Sequence, residues 1–211
     1  MIGLVRDPMG WLLGLLYMLP GLILGLTVHE YCHAATAVAL GDPTPRLEGR
    51  LTLNPTAHID GLGLLLFALL GWGYARPVNV RIGSLRGRKW GEAAVSLAGP
   101  ASNFVLAAVC YAFWKYLPDG LWSTFLLYGC SINLTLCFLN LLPVPPLDGS
   151  HLFNDLFLKK NLFVSRTVAR YGMGVVMLLS LTGVLGKGIG FVTGAAMDGM
   201  DALLSRVFFG A

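Results

Sequence analysis

Charge is scarce in this chain. Asp, Glu, Lys and Arg make up only 12% of its 211 residues, against about a quarter in soluble domains. Hydrophobic residues reach 55% and the mean hydropathy is +0.69, which excludes an ordinary soluble globule and indicates a polytopic membrane protein. Cysteine is sparse as well. Cys32, Cys110, Cys130 and Cys137 lie in or beside apolar runs without regular spacing, so neither a disulfide framework nor a cysteine zinc site is supported and they read as small packing residues. Internal repeats and low-complexity segments are absent. The net charge of +4 does not indicate nucleic acid, because the basic residues fall in the connections between apolar runs, where membrane topology places them. A cleavable signal peptide is also excluded: small residues resembling a cleavage site appear only after His33.

What the chain does have is long apolar runs. The first, Gly10 to Leu40, exceeds the roughly 20 residues needed to span a bilayer; Pro20 marks a kink or a division, and Gly41-Asp42-Pro43 is a stop signal. Residues 42–60 form a polar loop whose Arg50-Leu51-Thr52-Leu53 patch predicts a short strand. Residues 61–73 are apolar, but about 11 helical residues rise only ~16 Å, so the segment reads as re-entrant. A basic loop (Arg76, Arg81, Arg86, Arg88, Lys89) leads to a second span over Glu92–Leu117. After Pro118-Asp119-Gly120 a third span covers Leu121–Leu142 and breaks in the proline series 143–146. Residues 150–162, with Lys159 and Lys160, precede a fourth apolar stretch from Leu162 to Leu185, whose first turns carry Arg166 and Arg170 at the interface. Residues 186–211, interrupted by Asp198 and Asp201, read either as a short span or as an interfacial helix.

The expected fold is therefore an all-α polytopic membrane protein: about four or five transmembrane helices, a re-entrant segment and a short β-containing loop. Residues 1–211 form one domain, with a core at about 10–160 and C-terminal helices at about 162–211. The positive-inside rule puts the basic loops in the cytoplasm and the N-terminus outside.

The chemistry centres on His29-Glu30-Tyr31-Cys32-His33, an H-E-x-x-H motif inside the first run. Histidines four apart share one helical face and can share a metal ion, while Glu30 sits one residue round, within reach of a water. Each ionisable group costs roughly 2.5–3.5 kcal/mol near a bilayer centre, so the cluster calls for a compensating partner, and a metal ion is one. Catalytic zinc keeps three protein ligands and one open position. His58, Asp60, Asp148 and His151 are candidates for the third. Asp148 follows the helix-breaking prolines, and irregular backbone at membrane depth is tolerated only inside protein or beside a watery cavity; a plain Asp-Gly turn leaving the membrane fits it equally.

These pieces, with LGDPTPRLEGRLTLNPTAHID (40–60), GWGYARPVNV (71–80), SLAGPASN (96–103) and NLLPVPPLDG (140–149), resemble the site-2 proteases, intramembrane zinc metalloproteases, in the short bacterial type without an inserted PDZ domain. The resemblance implies one Zn2+ per chain held by His29, His33 and Asp148, with Glu30 as catalytic base. It implies that Asn140 borders the site, that Gly99 and Asn103 help hold the substrate backbone or the developing oxyanion, and that His58 donates a hydrogen bond near the substrate. Gly61 departs from the pattern, standing where proline is expected. The implied substrate is a transmembrane segment of another protein and the implied location is the bacterial inner membrane, with the active site towards the cytoplasm. Two rivals are a metal transporter, which has no special need of Glu30, and a silent scaffold for client helices, which has no need of ligands and base together.

Overall fold

The computed structural model describes residues 7–70, 73–157 and 166–209. Lys159, Lys160 and the expected start of the fourth stretch at Leu162 lie outside the described residues, as do Gly71, Trp72 and the side chains of Arg166 and Arg170.

Helix α1 (Pro8–Ala39) starts where Asp7 accepts a hydrogen bond from the Gly10 amide at 2.9 Å, with Pro8 in the first turn, a combination that satisfies one orphan donor and removes another. It ends at Gly41, whose φ of +106° suits a residue without Cβ, and Pro43 prevents continuation. Pro20 does not divide it. Leu12, Leu13, Leu16 and Leu24 point outward, as a lipid-facing helix requires.

A single turn, α2 (Thr44–Leu47), and a 3-10 turn at Pro55–Ala57 follow. The strand expected around Arg50–Leu53 is not formed. The Thr52 amide turns back to the Arg50 carbonyl at 2.9 Å, and a strand needs a partner that this loop does not offer. Among the described residues the only β pairing is an isolated antiparallel bridge between Ile59 and Ala75.

Asp60 starts α3 (Gly61–Leu70) by accepting from the Leu62 and Gly63 amides, both at 3.0 Å. The turn is thus capped even with glycine at position 61. The chain then doubles back: a Cβ on Gly63 would lie 3.1 Å from Tyr74 N, and one on Gly73 would lie 2.9 Å from Phe67 Cβ. The result is a hairpin, the shape a re-entrant segment requires.

Helices α4 (Lys89–Tyr116) and α5 (Leu121–Asn140) pack against each other and against α1. Close approach of α1 to α5 depends on glycine, since a Cβ on Gly21 would lie 2.7 Å from Gly129 Cα; small residues at such contacts are how membrane helices gain packing. Helix α6 (Asp148–Phe157) lies on α4. Then α7 (Arg166–Leu181) meets α8 (Val184–Phe209) at a bend of 80°. Helix α8 lies on α5, and Met200 joins Ala107, Tyr111, Cys130 and Leu134 in a buried cluster.

Among the described residues three helices (α1, α4 and α5) are long and apolar enough to cross a membrane, and the α7–α8 pair makes a fourth if counted as one bent span. The expected fourth stretch and the tail after it correspond to α7 and α8, which meet at Gly183.

Candidate metal centre

Three ligand atoms from two distant parts of the chain meet at one point. His29 Nε2 and His33 Nε2 lie 3.0 Å apart, as their spacing along α1 dictates. Asp148 Oδ2 lies 3.1 Å from the first and 3.2 Å from the second. The proline series ends α5 and α6 begins with Asp148, so the carboxylate enters from an irregular stretch. Gly149 permits this, because a Cβ there would strike the Leu141 carbonyl. Among the described residues this is the one group of His, Cys, Asp or Glu able to hold a metal.

The donor set fits zinc. Zn–N and Zn–O bonds of about 2.0–2.1 Å in tetrahedral geometry put neighbouring ligand atoms about 3.3 Å apart, close to the edges found. The protons agree. His33 Nδ1 donates to the Val95 carbonyl at 2.7 Å and His29 Nδ1 donates to Asn103 Oδ1 at 2.6 Å. In neutral rings this leaves both Nε2 lone pairs bare, facing a buried carboxylate oxygen that receives no hydrogen bond. Three converging lone pairs repel one another unless a cation lies among them. Gly99 keeps that space open, since a Cβ there would lie 2.6 Å from His29 Nε2 and collide with His33 Nε2.

Glu30 is buried beside the group, and its Oε2 accepts from the Val78 amide at 3.2 Å. Val78 belongs to an extended strap, residues 75–81, that crosses the site. The strap is pinned at one end by the Arg76 amide on the His58 carbonyl at 2.7 Å. At the other, the Arg81 amide donates to buried Asp42 at 2.6 Å. Cavities open on both sides of it. One, of about 360 Å³, is lined by His29, Glu30, Asp148, Tyr74 and Asn140. The other, of about 230 Å³, is more polar and reaches Glu30, His33, Asp148, Glu92 and His151.

The remaining sequence-predicted residues fall as follows. Asn140 borders the larger cavity, and its Nδ2 donates to the Leu136 carbonyl at 2.9 Å. His58 is buried in the loop, where its Nε2 donates to the Thr52 carbonyl at 2.8 Å. Asp60 caps α3 and pairs with Arg76 at 3.5 Å. His151 pairs with Glu92 at 3.4 Å, leaving Asp148 as the candidate that joins the histidines. Asn103 lies behind His29 with its whole amide engaged: besides accepting from His29, it donates to the Gly25 carbonyl and to Asn133.

Sequence reasoning missed Asn133, the Val95 carbonyl and the Val78 amide. Asn133 alone had a signal, as a polar side chain in the middle of an apolar run.

The model for "Peptidase family M50" matches residues 115–182, which include Asn140 and Asp148. The "Putative zinc metalloprotease YwhC" of Bacillus subtilis is 33% identical over 204 residues, covering 91% of this chain and 92% of that protein. The "Putative zinc metalloprotease Rip2" of Mycolicibacterium smegmatis is 32% identical over 193 residues, 85% of this chain and 72% of its own length. The protein of the same name in Mycobacterium tuberculosis is 35% identical over 144 residues, 63% of this chain and 54% of its own length. No solved structure matches the chain.

Proposed function

The chain belongs to peptidase family M50, the site-2 proteases, and is a zinc-dependent peptidase; on that premise we propose that it cuts transmembrane segments of other membrane proteins within the bilayer. The observation that carries this reading is the His29–His33–Asp148 triangle with Glu30 at its side, its two histidines and Glu30 on α1, a helix fit to cross a membrane.

In this reading His29, His33 and Asp148 hold the zinc. The chemistry it supplies there is Lewis acidity, which polarises a scissile carbonyl and acidifies the attacking water. Glu30 takes the proton from that water and passes it to the departing amine. The Val78 amide on Oε2 orients the carboxylate, and the two histidines stay neutral with their protons on Nδ1. A helical substrate must unwind locally, because its carbonyls are tied into the i to i−4 ladder.

The larger cavity, bordered by Asn140, receives the unwound peptide, and residues 74–80, Tyr74 and most of the strap, offer backbone groups for extended pairing. The smaller cavity brings water past Glu92 and His151. Gly99 leaves room for the metal, and His58 holds the loop from which the strap departs. The whole chain acts as one membrane-embedded catalytic domain. Its basic residues Arg76, Arg81, Arg86, Arg88 and Lys89 support, by the positive-inside tendency, a reading in which this end of the bundle faces the cytoplasm across a bacterial inner membrane.

The test is zinc quantification on detergent-purified protein, with cleavage of a panel of single-span membrane proteins, wild type beside Glu30→Gln. One zinc per chain in both, with cleavage by wild type alone, is the expected result. Absence of zinc from the wild type would refute the reading.

A further inference from the structure

Two amides, one behind the other, stand behind His29. Asn103 on α4 and Asn133 on α5 are both fully buried in a bundle built of membrane-spanning helices. Asn133 Nδ2 donates to the Gly21 carbonyl at 3.2 Å and to the Gly129 carbonyl at 2.8 Å. Turning this amide over would set its oxygen against two carbonyl oxygens, so its orientation is fixed. Its Oδ1 then has to face a donor, and that donor is Asn103 Nδ2 at 2.9 Å. The same Nδ2 also reaches the Gly25 carbonyl at 3.2 Å. With both amide hydrogens of Asn103 committed, its oxygen faces His29 Nδ1 at 2.6 Å and can only accept. The imidazole must therefore carry its proton on Nδ1 and keep the Nε2 lone pair free.

We propose that the Asn133–Asn103 pair is a positioning relay that locks His29 in its metal-binding tautomer and ring orientation, so that Asn103 acts through a zinc ligand and not on the substrate. The inference rests on the zinc reading above. The two histidines are held differently: a main-chain carbonyl, Val95, serves His33, whereas His29 depends on side chains from two other helices. Gly25 makes the relay sterically admissible, since a Cβ there would strike Asn133 Oδ1. Partners of this kind raise ligand basicity, and their loss costs roughly 10- to 100-fold in metal affinity. An Asn103 with all its polar atoms consumed has none left for a developing oxyanion.

The experiment compares full-length wild type, Asn103→Leu, Asn103→Asp and Asn133→Leu in detergent. Zinc dissociation constants come from chelator competition, thermal unfolding of the metal-free proteins reports folding, and 15N NMR of the histidine rings reports the tautomer. Asn103→Leu and Asn133→Leu weaken zinc binding, the former by roughly 10- to 100-fold, and the His29 signal shows mixed tautomers. Asn103→Asp keeps an oxygen on His29 while discarding both amide donors. It therefore stays within about threefold of wild type in zinc affinity, with the proton on Nδ1, even as its unfolding temperature falls. A purely structural asparagine predicts the opposite, with Asn103→Asp losing zinc as badly as Asn103→Leu, and that result overturns the relay. Wild-type affinity in Asn103→Leu overturns it too, without touching the protease reading. A wild type that binds no zinc overturns both.

Discussion

At the scale of single residues, the metal centre depends on one absent atom as much as on the ligands present. Gly99 has to lack a Cβ because the space that atom would fill is the one on which His29 and His33 converge. Gly99→Ala should therefore abolish zinc binding in protein that still folds, seen as loss of metal after purification with little change in helical content. Asp148→Ala leaves two histidines without the carboxylate, and zinc affinity should fall by more than the roughly 10- to 100-fold typical of losing a mere partner of a ligand, read by metal analysis after purification. The histidines were legible in the sequence as a pair four apart on a helix, whereas Asp148 stayed one of four candidates until the resemblance to the site-2 proteases singled it out. The groups that hold them were not. The Val95 carbonyl and Val78 amide are main chain and leave no mark in a sequence. Asn133 sits 30 residues from its partner Asn103, and nothing in either neighbourhood announces the other.

Among the elements, the helices were legible because hydropathy and length decide them, and α3 as a short helix because its run is too short to cross. Two elements were not. A strand at 50–53 was expected from residue preference alone, but pairing depends on what lies alongside, and the extended backbone of the strap meets Ile59 instead. The strap depends on Asp42. Burial alone would raise the Asp42 carboxyl, but bonds from Thr44 and from the Arg81 amide, together with the Arg81 charge, outweigh it and hold the group below the ordinary carboxylate value. A group lowered in the folded state stabilises it above the unfolded pKa, about 3.9, and loses that contribution as pH falls through the folded value. Asp42→Asn should cost about 1–3 kcal/mol at neutral pH, as a buried amide donor comes to face a backbone donor. Thermal unfolding followed from neutral to about pH 3 should show the two proteins converging in acid.

For the whole molecule, the undecided C-terminal tail shows why topology could not be read from one segment. Asp201 looked like an interruption, yet it accepts from Lys115 and from Tyr111 at 3.2 Å, both on α4. The charge that interrupted the apolar run in the sequence ties α8 to α4, beside the Met200 contact that packs it on α5. Because the ion pair is partly exposed, Lys115→Met should lower stability by no more than about 1 kcal/mol and leave zinc content unchanged, measured by thermal unfolding and metal analysis on the same sample. The strap has a consequence at this scale too. Its Val78 amide hydrogen rests on Glu30, so that hydrogen meets deuterium in solvent only when the strap lifts from the carboxylate. Its isotope exchange is a clock for access to the Glu30 carboxylate, readable without any substrate in hand.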